Sequence, residues 1–503
     1  MKNLAQKNVL VLGLGASGLA MARWCARCGA NVTVADTRDA PPRLAALRAD
    51  VPSAKFMNSR LDRALLDGDL FDIVLKSPGL SPATASGVMA MATGRAISRG
   101  NELSVFAQAL ADLKSDQGYA PSVIGITGTN GKTTVTSLAG QLIRRAGKSV
   151  AVAGNIGPTL LDTLTEKLDL QLKDQARELP EVWVLELSSF QLDGVQNFEP
   201  AVATVLNISQ DHLDWHETLP AYLAAKANVY GQDSLMLLNR DDPLVMAALP
   251  APVKGKPARA YLTFGGDEPR RAGDYGIASV NGMAWLVRAA QASDTVKRRR
   301  FEEPAPEIQQ LMPMQALRIH GRHNATNALA ALGLATAVGC PLAPLLHGLR
   351  DYRGEPHRVE SVAVLEEVEY FDDSKGTNVG ATVAALAGLG ADRKLVLIVG
   401  GDGKGQDFSA LAGPVSRYVR AVVLIGRDAP VIKAALQGTS VPLLDAGSMP
   451  EAVNLAARQA RHGDAVLLSP ACASFDMFDS YEHRAQAFRD AVEGLAQELG
   501  AVL

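Results

Sequence analysis

The sequence predicts an α/β protein of about three domains at ~150 residues each, with parallel sheets covered by helices. Three observations carry that reading. The chain runs to 503 residues, too long for one ordinary core. Short apolar runs of strand length alternate along it with Ala/Leu-rich stretches of helix length. Glycine-rich turns stand directly after some of those runs, where a strand would hand over to a helix.

The first segment, 1–116, opens with a strand over Asn8–Leu12, a helix over Ser17–Cys28 and a second strand over Asn31–Ala35 ending at Asp36. Phe71–Leu75 reads as a further strand running into Lys76-Ser77-Pro78-Gly79. Turn formers gather at Asp116-Gln117-Gly118-Tyr119-Ala120-Pro121 and mark a boundary. The second segment, 117–354, begins with a strand over Ser122–Ile126, a Gly/Thr-rich turn and a helix from Thr133 to Arg145. Strands follow at Val182–Leu185, Ala203–Leu206 and Leu235–Leu238, while 162–181 and 265–315 read as polar surface insertions. Gly354 and Pro356 open the third segment, 355–503, with a Val/Glu-rich strand pair and strands at Leu395–Val399, Ala421–Ile425 and Ala465–Leu468.

Hydrophobic residues make up 47% and charged residues 20%, the balance of a soluble globular protein. The net charge of −3 lacks the basic excess that marks nucleic-acid or membrane partners, so neither is expected. The run Lys297-Arg298-Arg299-Arg300, beside Glu302, Glu303 and Pro304, reads as a solvated loop. Four cysteines are too few for a disulfide scaffold, and Cys25 and Cys28 read as small side chains on a helix. The apolar run Val9–Ala22 is broken by Gly13, Gly15 and Gly18, which argues against a secretion signal; a cytoplasmic protein is expected.

Gly13-Leu14-Gly15-Ala16-Ser17-Gly18 is a G-x-G-x-x-G between strand and helix, and Asp36 stands where a ribose-binding acid belongs. Glycines there let the backbone approach a diphosphate at a helix N-terminus. Taken alone the pattern suits NAD, FAD, a UDP-type ligand or an empty turn. Gly125-Ile126-Thr127-Gly128-Thr129-Asn130-Gly131-Lys132-Thr133-Thr134 is a variant phosphate loop, its first glycine one position early. Its backbone N–H groups would cradle phosphates, Lys132 would reach the outer ones, and Thr133 could bind Mg²⁺. Glu186 and Asp211-His212 follow neighbouring strands and would converge on that loop to hold the ion. His212 and His216 lack the acidic partner of a zinc pair. Phe190 and Trp215 read as packing residues.

These stretches resemble the Mur ligases of bacterial peptidoglycan synthesis, relatives of folylpolyglutamate synthetase. Gly128 to Thr134, Gly154-Asn155-Ile156-Gly157, Glu186 to Leu192, Asn207 to His212 and Gly321 to Asn327 match the family's motifs in order, across nearly the whole chain. Asp373-Ser374-Lys375-Gly376-Thr377-Asn378 and Ser469 to Asp476 are most similar to its D-glutamate-adding branch, with Gly376 where alanine is common. The D-N-P-R stretch of the diaminopimelate or lysine adders is absent.

The resemblance implies a Rossmann-like first domain, a central ATPase domain of the phosphate-loop type and a Rossmann-like third domain. It implies ATP-driven addition of D-glutamate to UDP-N-acetylmuramoyl-L-alanine through an acyl phosphate, with Mg²⁺ and without NAD. Lys226 matches a lysine that family members carbamylate into a metal ligand; read by itself, it is an ordinary helix-surface lysine. By the same resemblance Lys132, Glu186, His212 and Lys226 are catalytic, and Thr133, Glu186, His212 and Lys226 hold metal. Gly128, Thr129, Asn130, Gly131, Lys132, Thr133, Thr134, Asn324, Asn327, Arg358 and Asp373 are implied to bind ATP. Gly15, Ser17, Asp36, Thr37, Arg38, Ser77, Gly79 and Asn155 are implied to bind the UDP substrate. Lys375, Thr377, Lys404, Ser474, Phe475 and Tyr481 are implied to receive D-glutamate. A monomer is expected.

Overall fold

The computed structural model describes residues 4–68, 70–174, 178–255, 257–291, 306–391 and 393–501. The basic run Lys297–Arg300 and its acidic neighbours Glu302 and Glu303 lie outside the described residues. The chain forms two compact units. One comprises Met1–Ile208, His212–Phe264 and Ala330–Gly348; the other comprises Ser209–Asp211, Gly265–Leu329 and Leu349–Leu503.

The first unit holds two parallel sheets. One has five strands in the spatial order Lys55–Asn58, Asn31–Asp36, Asn8–Leu12, Ile73–Lys76 and Ser98–Gly100. The other has six, ordered Tyr261–Phe264, Leu235–Asn239, Val202–Val205, Ser122–Thr127, Val182–Glu186 and Val150–Gly154. Their interior strands read as continuous apolar runs because helices bury both faces; Val9, Leu10, Val11 and Leu12 are all fully buried.

These two sheets share one core. The helix Glu102–Gln117 starts at Asn101, whose side chain caps it, and ends at Gly118 with φ 71. Phe106 on that helix meets Trp183 of the six-stranded sheet edge to face at 5.1 Å. The stretch read from sequence as a polar insertion at 162–181 is in fact largely the helix Leu160–Lys173, which buries Leu160, Leu161, Leu164 and Leu168. Its charges hid an apolar stripe at helical spacing, and two of them serve the seam: Arg23 bonds Asp162 at 3.2 Å and Arg27 bonds Asp169 at 2.7 Å.

The second unit holds a six-stranded sheet ordered Glu360–Leu365, Val368–Asp372, Ala465–Leu468, Leu395–Gly400, Val419–Ile425 and Leu443–Asp445. Only its first pair is antiparallel. The expected 265–315 insertion carries its own three-stranded antiparallel sheet, Tyr275–Val280, Met283–Ala290 and Glu307–Pro313. No helix among the described residues is long and apolar enough to cross a membrane.

Candidate active site

Strand order places the chemistry of the first unit. Ser122–Thr127 lies between Val202–Val205 and Val182–Glu186, with Ile126 in register with Glu186 and Thr127 with Val205. The phosphate loop therefore leaves the sheet with Glu186 on one side and Asn207 on the other. Thr129 N–H donates to the Asn207 carbonyl at 2.9 Å, and Asn130 N–H donates to its side-chain oxygen at 2.8 Å. Gly128 at φ 153 and Gly131 at φ 83 take backbone conformations that favour glycine, and a Cβ on Gly128 would sit 2.9 Å from Leu206. The helix Lys132–Arg145 then points its N-terminus at the loop. Lys132 Nζ lies across the loop, donating to the carbonyls of Gly128 at 2.7 Å and Thr129 at 2.8 Å.

Glu186 is 1% exposed. Its Oε1 accepts from Asn155 Nδ2 at 3.0 Å, while its Oε2 has no hydrogen-bond partner among the described residues. A buried carboxylate oxygen left open beside a threonine-tipped phosphate loop is the donor set of a hard divalent cation. Thr133, Glu186 and the neighbouring groups thus fit Mg²⁺. Gly154 holds this geometry: at φ 121, a Cβ there would fall 2.2 Å from the Glu186 carbonyl.

Lys226 corrects the plain reading of a surface lysine. It lies on Leu219–Ala227 but is 1% exposed, donating to the Gly128 carbonyl at 2.9 Å and Thr127 Oγ1 at 3.3 Å, over the Tyr222 ring. Helical periodicity alone does not reveal a lysine turned inward onto the phosphate loop. Phe190 packs against His212 at 4.7 Å and Trp215 at 4.3 Å, as expected of packing residues. His216 bonds Ser189 Oγ through Nε2 at 2.9 Å and stacks on Phe190. His212, at φ 54, stands at the N-terminus of the short helix Leu213–His216.

On the five-stranded sheet the glycine pattern has separable causes. A Cβ on Gly18 would meet the Gly13 carbonyl at 2.0 Å, so that glycine serves helix–strand packing, whereas a Cβ on Gly15 would meet nothing within 4 Å. Gly15 leaves its backbone open to close approach. Asp36 differs from a free ribose acceptor. Its carboxylate accepts from Leu14 N–H at 2.7 Å and from two Arg38 side-chain nitrogens at 2.8 Å each, and the Arg38 bond draws its pKa down to about 2. Asp36 thus shapes the loop and positions Arg38, while Thr37 and Arg38 are exposed. Ser17 is half-buried, Ser77 is buried just after the strand Ile73–Lys76, and Gly79 and Asn155 are exposed.

In the second unit, three loops leave adjacent strands at the same edge. They follow Val368–Asp372, Ala465–Leu468 and Leu395–Gly400, and carry Asp373 to Thr377, Ser469 to Phe475 and Gly401 to Lys404. Paired backbone bonds between Asp402 and Ala473 at 2.9 and 3.0 Å tie the last two loops together, near Lys404 and Ser474. Lys375 Nζ donates to the Tyr481 hydroxyl at 3.0 Å. Ser474 is buried, Thr377 half-buried and Lys404 exposed; Phe475 is 72% exposed.

Asp373 is buried, accepts from Ser469 Oγ at 2.7 Å, and burial pushes its carboxyl up to about 7. Gly376 makes room for it: a Cβ there would lie 2.5 Å from Asp373 Oδ2. Asn324 donates to the His320 carbonyl at 2.8 Å and accepts from Asn327 at 3.1 Å, so the two asparagines form one amide cluster. Sequence reasoning missed the supports. Arg484, 1% exposed, bonds the Ser374 carbonyl at 2.8 Å and the Cys472 carbonyl at 3.1 Å, and burial lowers its pKa to about 10. His357, Glu360 and Asp372 cluster as metal ligands do, yet the Arg489 guanidinium meets Glu360 at 2.5 Å and Asp372 at 3.8 Å and supplies the positive charge there.

Three family models match successive parts of the chain. Residues 126–335 match the Mur ligase middle domain and residues 357–472 the Mur ligase, glutamate ligase domain. Residues 7–98 match the N-terminal domain described as Mur ligase MurD-like. A protein of Albidiferax ferrireducens named UDP-N-acetylmuramoylalanine–D-glutamate ligase is 63% identical, covering 100% of this chain and 99% of its own. One of the same name from Polaromonas sp. is 56% identical, covering 100% of both. The solved structure of MurF ligase from Thermotoga maritima in complex with ADP aligns with a TM-score of 0.56 at 15% identity, covering 99% of this chain and 97% of its own. That likeness is one of fold.

Proposed function

The chain belongs to the Mur ligase family, and we propose from that premise that it adds D-glutamate to UDP-N-acetylmuramoyl-L-alanine at the expense of ATP. The observation that carries the reading is the phosphate loop, with Lys132 across it, leaving a strand paired with the one that ends in buried Glu186 and its open oxygen. The division of labour follows the segments 1–116, 117–354 and 355–503, for sugar nucleotide, ATP and amino acid. The enzyme works in the cytoplasm as a monomer.

A carboxylate is a poor electrophile and repels a triphosphate. Lys132 exchanges its loop carbonyls for the outer phosphates, and the loop N–H groups hold the chain of phosphates in line. Thr133, Glu186, His212 and a carbamylated Lys226 would hold Mg²⁺, which would supply the neutralising charge. The alanyl carboxylate takes the γ-phosphoryl group as ADP leaves, giving an acyl phosphate. The amine of D-glutamate then attacks the carbonyl, phosphate departs with the C–O bond, and the amine proton is lost as the amide forms. Lys375, paired with Tyr481, and Lys404 anchor the carboxylates of the incoming amino acid; Thr377, Ser474 and Phe475 line its approach. Asn324 and Asn327 face adenine, with Arg358 and Asp373 toward ribose and phosphates. Gly15, Ser17, Thr37, Arg38, Ser77, Gly79 and Asn155 grip the sugar nucleotide. The buried position of Lys226 beside the Gly128 carbonyl supports its place at the metal.

The test is phosphate release from ATP and UDP-N-acetylmuramoyl-L-alanine with D-glutamate, L-alanine, lysine and diaminopimelate supplied separately. Release with D-glutamate alone is expected. Equal release with another amino acid, or none with D-glutamate, overturns the reading.

A further inference from the structure

Lys76 ends the strand Ile73–Lys76, and its side chain is 8% exposed. Its ammonium donates to Asp193 Oδ2 at 3.2 Å and, at the long limit, to the Leu80 carbonyl at 3.4 Å; the Trp215 ring centroid is 5.8 Å away. An ammonium carries three donors, and the third meets no acceptor among the described residues. Asp193 is itself 35% exposed, so the cation is sunk deeper than its counterion. A buried charge with incomplete partners costs stability unless a ligand completes them.

Its position selects the ligand. Ser77 and Gly79 directly follow Lys76 and belong to the proposed sugar-nucleotide site. On the other side Trp215 packs against Phe190 at 4.3 Å, and Phe190 against His212 at 4.7 Å. The ammonium is thus joined to the nucleotide loop along the chain and, through Trp215 and Phe190, to the histidine assigned to the metal. The diphosphate is served at Gly15, where a Cβ would meet nothing within 4 Å. What must travel from Ser77 toward His212 is the carboxylate-bearing arm of the substrate.

We propose that Lys76 is a further substrate-binding residue, its third donor receiving the carboxylate of the sugar nucleotide's acyl arm. This rests on the ligase reading above. The competing role is a tie between the two sheets of the first unit, through Asp193.

The experiment measures binding of UDP and of UDP-N-acetylmuramoyl-L-alanine by calorimetry to the full-length protein and to Lys76→Gln and Lys76→Arg, with melting temperatures beside them. Lys76→Gln should weaken the complete substrate roughly tenfold to a hundredfold, the worth of a charged hydrogen bond. UDP affinity and the KM values for ATP and D-glutamate should not move, and Lys76→Arg should recover most of the loss. Equal weakening of UDP and substrate, or a lowered melting temperature with unchanged affinities, overturns the proposal. Should Lys76→Gln not fold, Asp193→Asn decides: it removes the competing carboxylate, so substrate binding should hold or tighten, and weakening overturns the proposal. A wild-type protein that binds the substrate but releases no phosphate refutes the ligase reading alone.

Discussion

Replacing Asp373 by asparagine should stabilise the protein in a pH-dependent way while impairing catalysis. Burial moves this carboxyl from the ordinary 3.8 up to about 7, against the pull of Ser469 and Arg358. A carboxyl whose pKa is raised on folding destabilises the folded state once the unfolded chain ionises more readily than the folded one. The penalty is absent below pH 3.8, grows as pH rises, and is complete above about 7. Each pH unit in that window is worth ~1.4 kcal/mol, so the full cost is about 4 kcal/mol. Asparagine carries no such cost, and its oxygen can still accept from Ser469. Urea unfolding of wild type and Asp373→Asn at pH 5 and pH 7.5 should show the variant gaining ~3 kcal/mol more at the higher pH. Phosphate release should fall at both. An equal change in stability at the two pH values, or a larger loss at pH 7.5, refutes the reasoning.

Other perturbations test separate parts of the site. Lys132→Ala should cut phosphate release by roughly a thousandfold, measured at saturating substrates, while the melting temperature stays within a few degrees. Glu186→Gln leaves the Asn155 contact but blunts the open oxygen; a titration should show at least tenfold more Mg²⁺ required, and an unchanged requirement removes Glu186 from the metal. Gly154→Ala forces a Cβ to within 2.2 Å of the Glu186 carbonyl at φ 121, and should cost ~3 kcal/mol or more in chemical denaturation. Carbon-13 bicarbonate should give a carbamate signal that Lys226→Arg abolishes; no such signal in active protein removes the modification.

Legibility in the sequence followed burial and periodicity. The strand Ala465–Leu468 stands where the apolar run placed it, because a strand buried on both faces is a continuous apolar string. Edge strands such as Lys55–Asn58 and Ser98–Gly100 are short and polar, and carry no such signal. Helix Leu160–Lys173 was obscured because its charged face pairs with Arg23 and Arg27 on another element, which no local window reveals. Glycine spacing announced the phosphate loop, and strand order in the sheet accounts for Glu186 beside it. What lies at long range was not legible: that Asp36 is consumed by Leu14 and Arg38, that Lys226 turns inward, and that Arg484 braces the Ser374 loop from a helix more than a hundred residues away.

Arg489 gives the second unit a permanent counterion. A guanidinium is part of the chain and cannot be drawn off by a chelator, so the charge that faces Glu360 and Asp372 is covalently fixed in place. A cation already bonded to two of the three candidate ligands makes the cluster of His357, Glu360 and Asp372 a poorer seat for a divalent ion than its ligand spacing alone suggests.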